Sequence, residues 1–162
     1  MKILNFGSLN IDYVYNVIEF VRAGETISAL STLEHPGGKG LNQAVAAARA
    51  GSNVFFAGNI GEDGLFLKEL LENSGADAKY LKINKARTGN AIIQIDKDGE
   101  NCIIVSAGAN ALLDEAYITQ IPVGIILYEM KKGLNKRFFQ KKHEKRLIFL
   151  SEYGIIRLYF IR

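Results

Sequence analysis

Asn10 and Asp12 stand two residues apart in the stretch GSLNID, just past a short apolar run ending at Phe6. In extended backbone that spacing puts both side chains on one side of the chain. A carboxamide beside a carboxylate offers donors and acceptors together, the combination needed to hold adjacent hydroxyl groups. The same pair could equally close an Asx turn on its own backbone. The second candidate is GGKGLNQA at Gly37–Ala44. Its glycines let the backbone turn sharply and approach a ligand. The helix that follows aims free N–H groups and a partial positive charge at the same spot. Lys39 adds a mobile cation, and Asn42, about one turn into the helix, can reach back. A plain glycine turn opening a helix is the competing reading. Two familiar phosphate binders are excluded. A P-loop needs Ser or Thr after its lysine, and here Gly40 follows Lys39. A dinucleotide fingerprint needs G-x-G-x-x-G after a strand, and that spacing is absent.

Other reactive side chains are less suggestive. His35 and His143 lack any partner spacing that would make a metal site or a triad. Cys102, in a β-rich arm, reads as a small buried apolar group. Gly61 and Gly64 in GNIGEDG read as turn and cap residues.

The elements that must position these residues follow from pattern. KILNF is a buried strand closed by Gly7. NIDYVYNVIEFV and ETISALSTLEH are extended pieces rich in aromatic and β-branched residues. Leu41–Ala50 is an alanine-rich helix with Gly51 placed to end it. NVFFAG is another buried strand. Asp63 is placed to cap a helix over GLFLKELLENSG, with Leu67, Leu70 and Leu71 on one face and Gly75 at its end. KYLKI is a strand. GNAIIQIDKDGENCIIVSAGAN is a hairpin turning at Asp98-Gly99. This order implies an α/β protein whose central sheet is mostly parallel, with extra strands set aside from it.

The bounds agree. A chain of 162 residues is about one domain, and 48% hydrophobic with 23% charged residues is ordinary for a soluble globular protein. No apolar run reaches the ~18 residues of a membrane span. The N-terminus is too weakly apolar for a secretory signal. A single cysteine cannot form an internal disulfide, so a cytoplasmic setting is the expectation. The net charge of +3 hides an asymmetry: residues 1–130 hold 10 Lys and Arg against 15 Asp and Glu, whereas residues 131–162 hold 10 against 2. Such a shift marks a boundary.

Taken together, GSLNID, AGET (Ala23–Thr26), GGKGLNQAVAAARAG (Gly37–Gly51), GNIGEDG (Gly58–Gly64), TGNAIIQID (Thr88–Asp96) and SAGAN (Ser106–Asn110) occur in the order and near the spacing of a known family. Over about residues 1–121 the chain resembles the ribokinase branch of the PfkB carbohydrate kinases. The resemblance implies a ribokinase-like, Rossmann-type, mostly parallel sheet with helices and a small β-lid. It also implies ATP-dependent phosphorylation of ribose to ribose 5-phosphate, with Mg2+ and a monovalent cation such as K+. By position, Asn10, Asp12, Gly38, Lys39 and Asn42 match the family's sugar-binding residues. Glu129, in IILYEM, matches an acidic residue at the end of the family's next strand. The strands within about 12–34 and 88–106 match the lid, which in the family covers the sugar and pairs with a second subunit as a homodimer. Other members of the superfamily act on deoxyribose, fructose or nucleosides, and these remain alternatives.

The family pattern stops near Pro122. The resemblance therefore implies two parts: residues 1–130 as the N-terminal part of a sugar kinase domain, and 131–162 as an atypical basic tail from a truncated or frame-shifted product. The family's Gly-Ala-Gly-Asp segment, whose Asp is the catalytic base, has no counterpart here, and neither does the nucleotide pocket. The expectation is a sugar-binding half without catalysis. In the tail, Met130, Leu134 and Phe138 permit a short basic helix, and LIFL and IIRLYFI further strands. Eight Lys and Arg within Lys131–Arg146 would attract phosphates. Only Phe138 and Phe139 interleave there and no nucleic-acid motif accompanies them, so nucleic acid is not the expected partner.

Overall fold

The computed structural model describes residues 2–112, 121, 125–129, 146–150 and 156–159. The apolar run at the N-terminus forms strand β1 (Lys2–Phe6), which pairs in parallel with β4 (Asn53–Gly61), setting Ile3 opposite Val54 and Phe6 opposite Ala57. Strands buried on both faces read as nearly unbroken apolar runs. Accordingly, Leu4, Phe6, Phe56 and Ile60 are fully buried. The six-stranded sheet runs β10-β9-β8-β1-β4-β5, with β5 at Asp77–Asn84, β8 at Ile125–Glu129, β9 at Arg146–Leu150 and β10 at Ile156–Tyr159. Its pairings are parallel except β9 with β10.

Helices α1 (Lys39–Arg49) and α2 (Leu65–Asn73) pack on one face of this sheet. Leu41 and Ala44 from α1 and Leu67 and Leu71 from α2 close over Val54, Phe56 and Ile60. Burying each such leucine is worth about 1.5–3 kcal/mol. Gly51 and Gly75 end the helices with φ of 84° and 93°, a backbone that favours glycine. The expected cap of α2 is corrected. Gly64 occupies the cap position without a side-chain bond, and Asp63 lies in a 3-10 turn, Glu62–Gly64. Its carboxylate is instead taken by donors from Arg87 and Thr88.

A second sheet, β3-β2-β6-β7, stands beside the first. It is built from β2 (Asn10–Asn16), β3 (Ser31–Gly37), β6 (Gly89–Ile95) and β7 (Asn101–Ser106). The predicted hairpin is β6–β7, turning over Asp96–Glu100 with Gly99 at φ 81°. The extended pieces are shorter than their sequences suggested. Residues 17–30 leave the ladder, held at its mouth by Val17 N–H to Ile95 O at 2.8 Å and Leu30 N–H to Asn16 O at 2.7 Å. Cys102 is exposed rather than buried, because β7 is an edge strand whose residues are all exposed. In the tail, RLIFL and part of IIRLYFI form β9 and β10, extending the main sheet. Residues 131–145, with the expected basic helix, lie outside the described residues.

Candidate functional site

The chain passes from the main sheet to the second at Gly7–Leu9, between the end of β1 and Asn10. The glycines of GGKG fit against this passage, each for its own reason. A Cβ on Gly40 would lie 2.6 Å from the carbonyl carbon of Gly7 and the amide nitrogen of Ser8. A Cβ on Gly38 would lie 2.6 Å from Ser8 O and 3.0 Å from Asn10 N, and its φ of 98° is itself a glycine conformation. A Cβ on Gly37 would overlap the Asp12 carboxylate. The two motifs, separate in sequence, therefore touch: Asn10 pairs with Gly37 and Asp12 with His35 in the β2–β3 ladder. Leu41 N–H donates to Ser8 O at 3.1 Å, fastening the mouth of α1 to the same passage.

A residue given no role from sequence completes the arrangement. Asn110, 4% exposed, accepts from Leu9 N–H at 3.1 Å through Oδ1. Its Nδ2 donates to Leu9 O and to Asn10 Oδ1, both at 2.9 Å. Gly89 makes room, since a Cβ there would overlap Asn110 Nδ2 and lie 2.6 Å from Asn10 Oδ1. The signal was present as the last residue of SAGAN, but its partners lie about a hundred residues earlier in the chain.

Burial pushes the Asp12 carboxyl above the usual carboxylate range, and the attraction of His35 on the neighbouring strand partly opposes this. Lys39 and Asn42 are exposed at the start of α1. Lys39 has no ion-pair partner among the described residues, whose ion pairs lie elsewhere. Among the described residues no helix is long and apolar enough to cross a membrane.

The site thus joins an amide, a carboxylate, a glycine turn and a helix mouth beyond the C-terminal end of the interior strand β1, beside a small second sheet. The pfkB family of carbohydrate kinases matches residues 1–121. The chain belongs to that family. It is 40% identical over 117 residues to the ribokinase of Haemophilus influenzae, covering 70% of this chain and 38% of that protein. Its fold is similar to the crystal structure of a ribokinase from Cryptococcus neoformans in complex with ADP, with a TM-score of 0.81 and 36% identity, covering 95% of this chain and 50% of that one. It is also similar to an Arabidopsis thaliana ribokinase complexed with ribose and ATP, at a TM-score of 0.67 and 31% identity, over 79% of this chain and 44% of that one. The chain therefore spans about half or less of the length of the family members it matches.

A further seam of this pfkB chain lies where β6 begins. Thr88, buried, donates from its backbone N–H at 2.9 Å and its hydroxyl at 2.7 Å to Asp63 Oδ1, and its hydroxyl accepts from Gly61 N–H at 2.9 Å. Burial acts to raise the Asp63 carboxyl, but the bonds from Thr88 and Arg87 outweigh it and hold the group below the usual range. The backbone of Glu129 lies at the end of β8, one residue beyond the Tyr128–Phe6 pairing and so level with Gly7. Among the described residues, no group of three or more His, Cys, Asp or Glu could hold a metal ion. The Leu41 N–H at the mouth of α1 is bonded to Ser8 O.

Proposed function

We propose that this chain carries the sugar-recognition face of a ribokinase-type kinase, an enzyme that moves the terminal phosphoryl group of ATP to the hydroxymethyl group of ribose. The observation that carries the reading is the contact of the Asp12 carboxylate with Gly37, which joins GSLNID to GGKG at one point. On this reading Asn10 and Asp12 hold sugar hydroxyls from one side. Gly38 lets the backbone approach, and Lys39, Asn42 and Glu129 complete the cradle. A neutral polyol offers no net charge to grip, so several fixed donors and acceptors must supply both affinity and orientation. The second sheet acts as the lid that excludes water from the acceptor hydroxyl. No residue of this chain is assigned to nucleotide, Mg2+ or K+, and no step is routed through them. The catalytic base is likewise assigned to none of these residues.

The lid also supports a homodimer. By the two-residue alternation of strands, Leu33, Ile103 and Val105 lie on the Asp12 face, and Tyr15, Ile92 and Ile104 on the other. All six are exposed. Bare apolar residues on both faces suit a sheet that closes over a ligand on one side and meets a second copy on the other.

The test is titration calorimetry of the 162-residue chain with D-ribose, beside a coupled ADP-release assay with ribose and Mg-ATP. Ribose binding without turnover is expected. Absence of binding at millimolar sugar would refute the sugar-site reading, and normal turnover would refute the assignment of no catalytic base. 2-Deoxyribose, fructose and a nucleoside as competitors fix the acceptor, and ribose losing clearly to any of them would overturn that choice.

A further inference from the structure

We infer that Asn110 is a positioning residue that fixes the polarity of Asn10, so that Asn10 meets its ligand only as a hydrogen-bond donor while Asp12 meets it only as an acceptor. The inference deepens the sugar-site reading and rests on it. An amide side chain can be turned over without changing its shape, and its orientation is decided by its partners. Here the partners leave one answer. Leu9 N–H can only donate, so the Asn110 atom facing it at 3.1 Å must be the oxygen. Leu9 O can only accept, so the atom facing it at 2.9 Å must be the nitrogen. The remaining hydrogen of that nitrogen points at the Asn10 amide, also at 2.9 Å, and Asn10 must therefore turn its oxygen inward. The Asn10 NH2 group is left with no hydrogen-bond partner among the described residues, on a half-buried side chain.

Two residues along the same strand, the Asp12 carboxylate lies against Gly37 and accepts no hydrogen bond from the described residues. An ionised carboxylate can only accept. The site thus reads a defined pattern: one ligand oxygen that accepts at Asn10, and one hydroxyl that donates at Asp12. Because Asn110 lies just past the end of β7 and Leu9 just before β2, the same three bonds tie the exit of the second sheet to its entrance.

Paired variants of the full 162-residue chain test the polarity. In Asn10→Asp, a carboxylate oxygen replaces the amide at the Asn110 contact. The internal bond survives, and the melting midpoint stays within about 2 °C of the parent. The donor toward ligand is gone, and D-ribose affinity falls by about threefold to tenfold or more. In Asn110→Asp, the lost NH2 leaves two acceptors facing an acceptor, and the midpoint falls by about 5 °C or more. The opposite split, Asn10→Asp melting early while keeping its ribose affinity, would overturn the proposal. A readout without sugar is side-chain amide hydrogen exchange by NMR. The Asn110 NH2 should be protected and the Asn10 NH2 should exchange rapidly, and equal rates would sink the latch. If the parent chain binds no ribose, the sugar-site reading and the ligand half of the inference fall together. The exchange rates and melting midpoints still decide the latch.

Discussion

Replacing Thr88 by valine keeps shape and burial while deleting one oxygen, so it isolates what that oxygen does. The hydroxyl has two partners: it donates to Asp63 Oδ1 at 2.7 Å and accepts from Gly61 N–H at 2.9 Å. Thr88 is 1% exposed and Gly61 is buried, so no water can replace the lost acceptor, and the stranded N–H costs about 1–3 kcal/mol. The bond to Asp63 is worth less, because that carboxylate keeps 31% of its surface and still accepts from Thr88 N–H and Arg87. It adds about 0.5–1 kcal/mol. The expected loss is therefore about 1.5–4 kcal/mol, or about 3–16 °C in the midpoint for a chain of this size. Thr88→Ser keeps the oxygen and removes only a methyl group, costing about 0.8 kcal/mol. Circular dichroism melts of parent, valine and serine variants decide it. A valine variant within 1 °C of the parent, or a serine variant as damaged as the valine one, would refute the claim that the hydroxyl joins the two sheets here.

Other outcomes follow from the same geometry. Asp12→Asn should leave stability at pH 7 unchanged or raised, because a carboxyl with a raised pKa opposes folding once ionised, while ribose affinity in calorimetry falls. Asp63→Asn should do the reverse. The depressed Asp63 pKa gives stability that is present above the ordinary carboxylate pKa and is lost as pH falls through the folded value, so the variant should be weaker near neutrality and flatter below about pH 4 in urea melts. Gly40→Ala places a Cβ 2.6 Å from the Gly7–Ser8 backbone, and the resulting shift should cost about 1–3 kcal/mol in spite of the better helix former. Ile104→Asp, on the lid face away from Asp12, should convert a dimer to a monomer in size-exclusion chromatography.

What the sequence revealed was what neighbours in the chain decide. The alanine run with Gly51 specified α1, and Asp98-Gly99 specified the β6–β7 turn, because both signals act over a few residues. The meeting of GSLNID with GGKG could be expected only through family likeness, since nothing local in either stretch refers to the other. Asp63 looked like a helix cap because its stronger partner, Thr88, lies 25 residues away. Asn110 was invisible as a positioning residue for the same reason, with its partners near residue 10. Residues 17–30 have β-forming side chains but leave the ladder, and propensity without a neighbouring strand makes no sheet. Cys102 was misread because burial in a strand depends on what covers the sheet.

Four passages carry the chain between the two sheets: after β1, after β3, before β6 and after β7. The Asn110 bonds, the Asp63 bonds and the tight glycines all sit on those passages. On the proposed reading, grip and cover are therefore one mechanical coordinate: Asn10 and Asp12 lie on β2 of the small sheet, and any swing of that sheet would carry them with it.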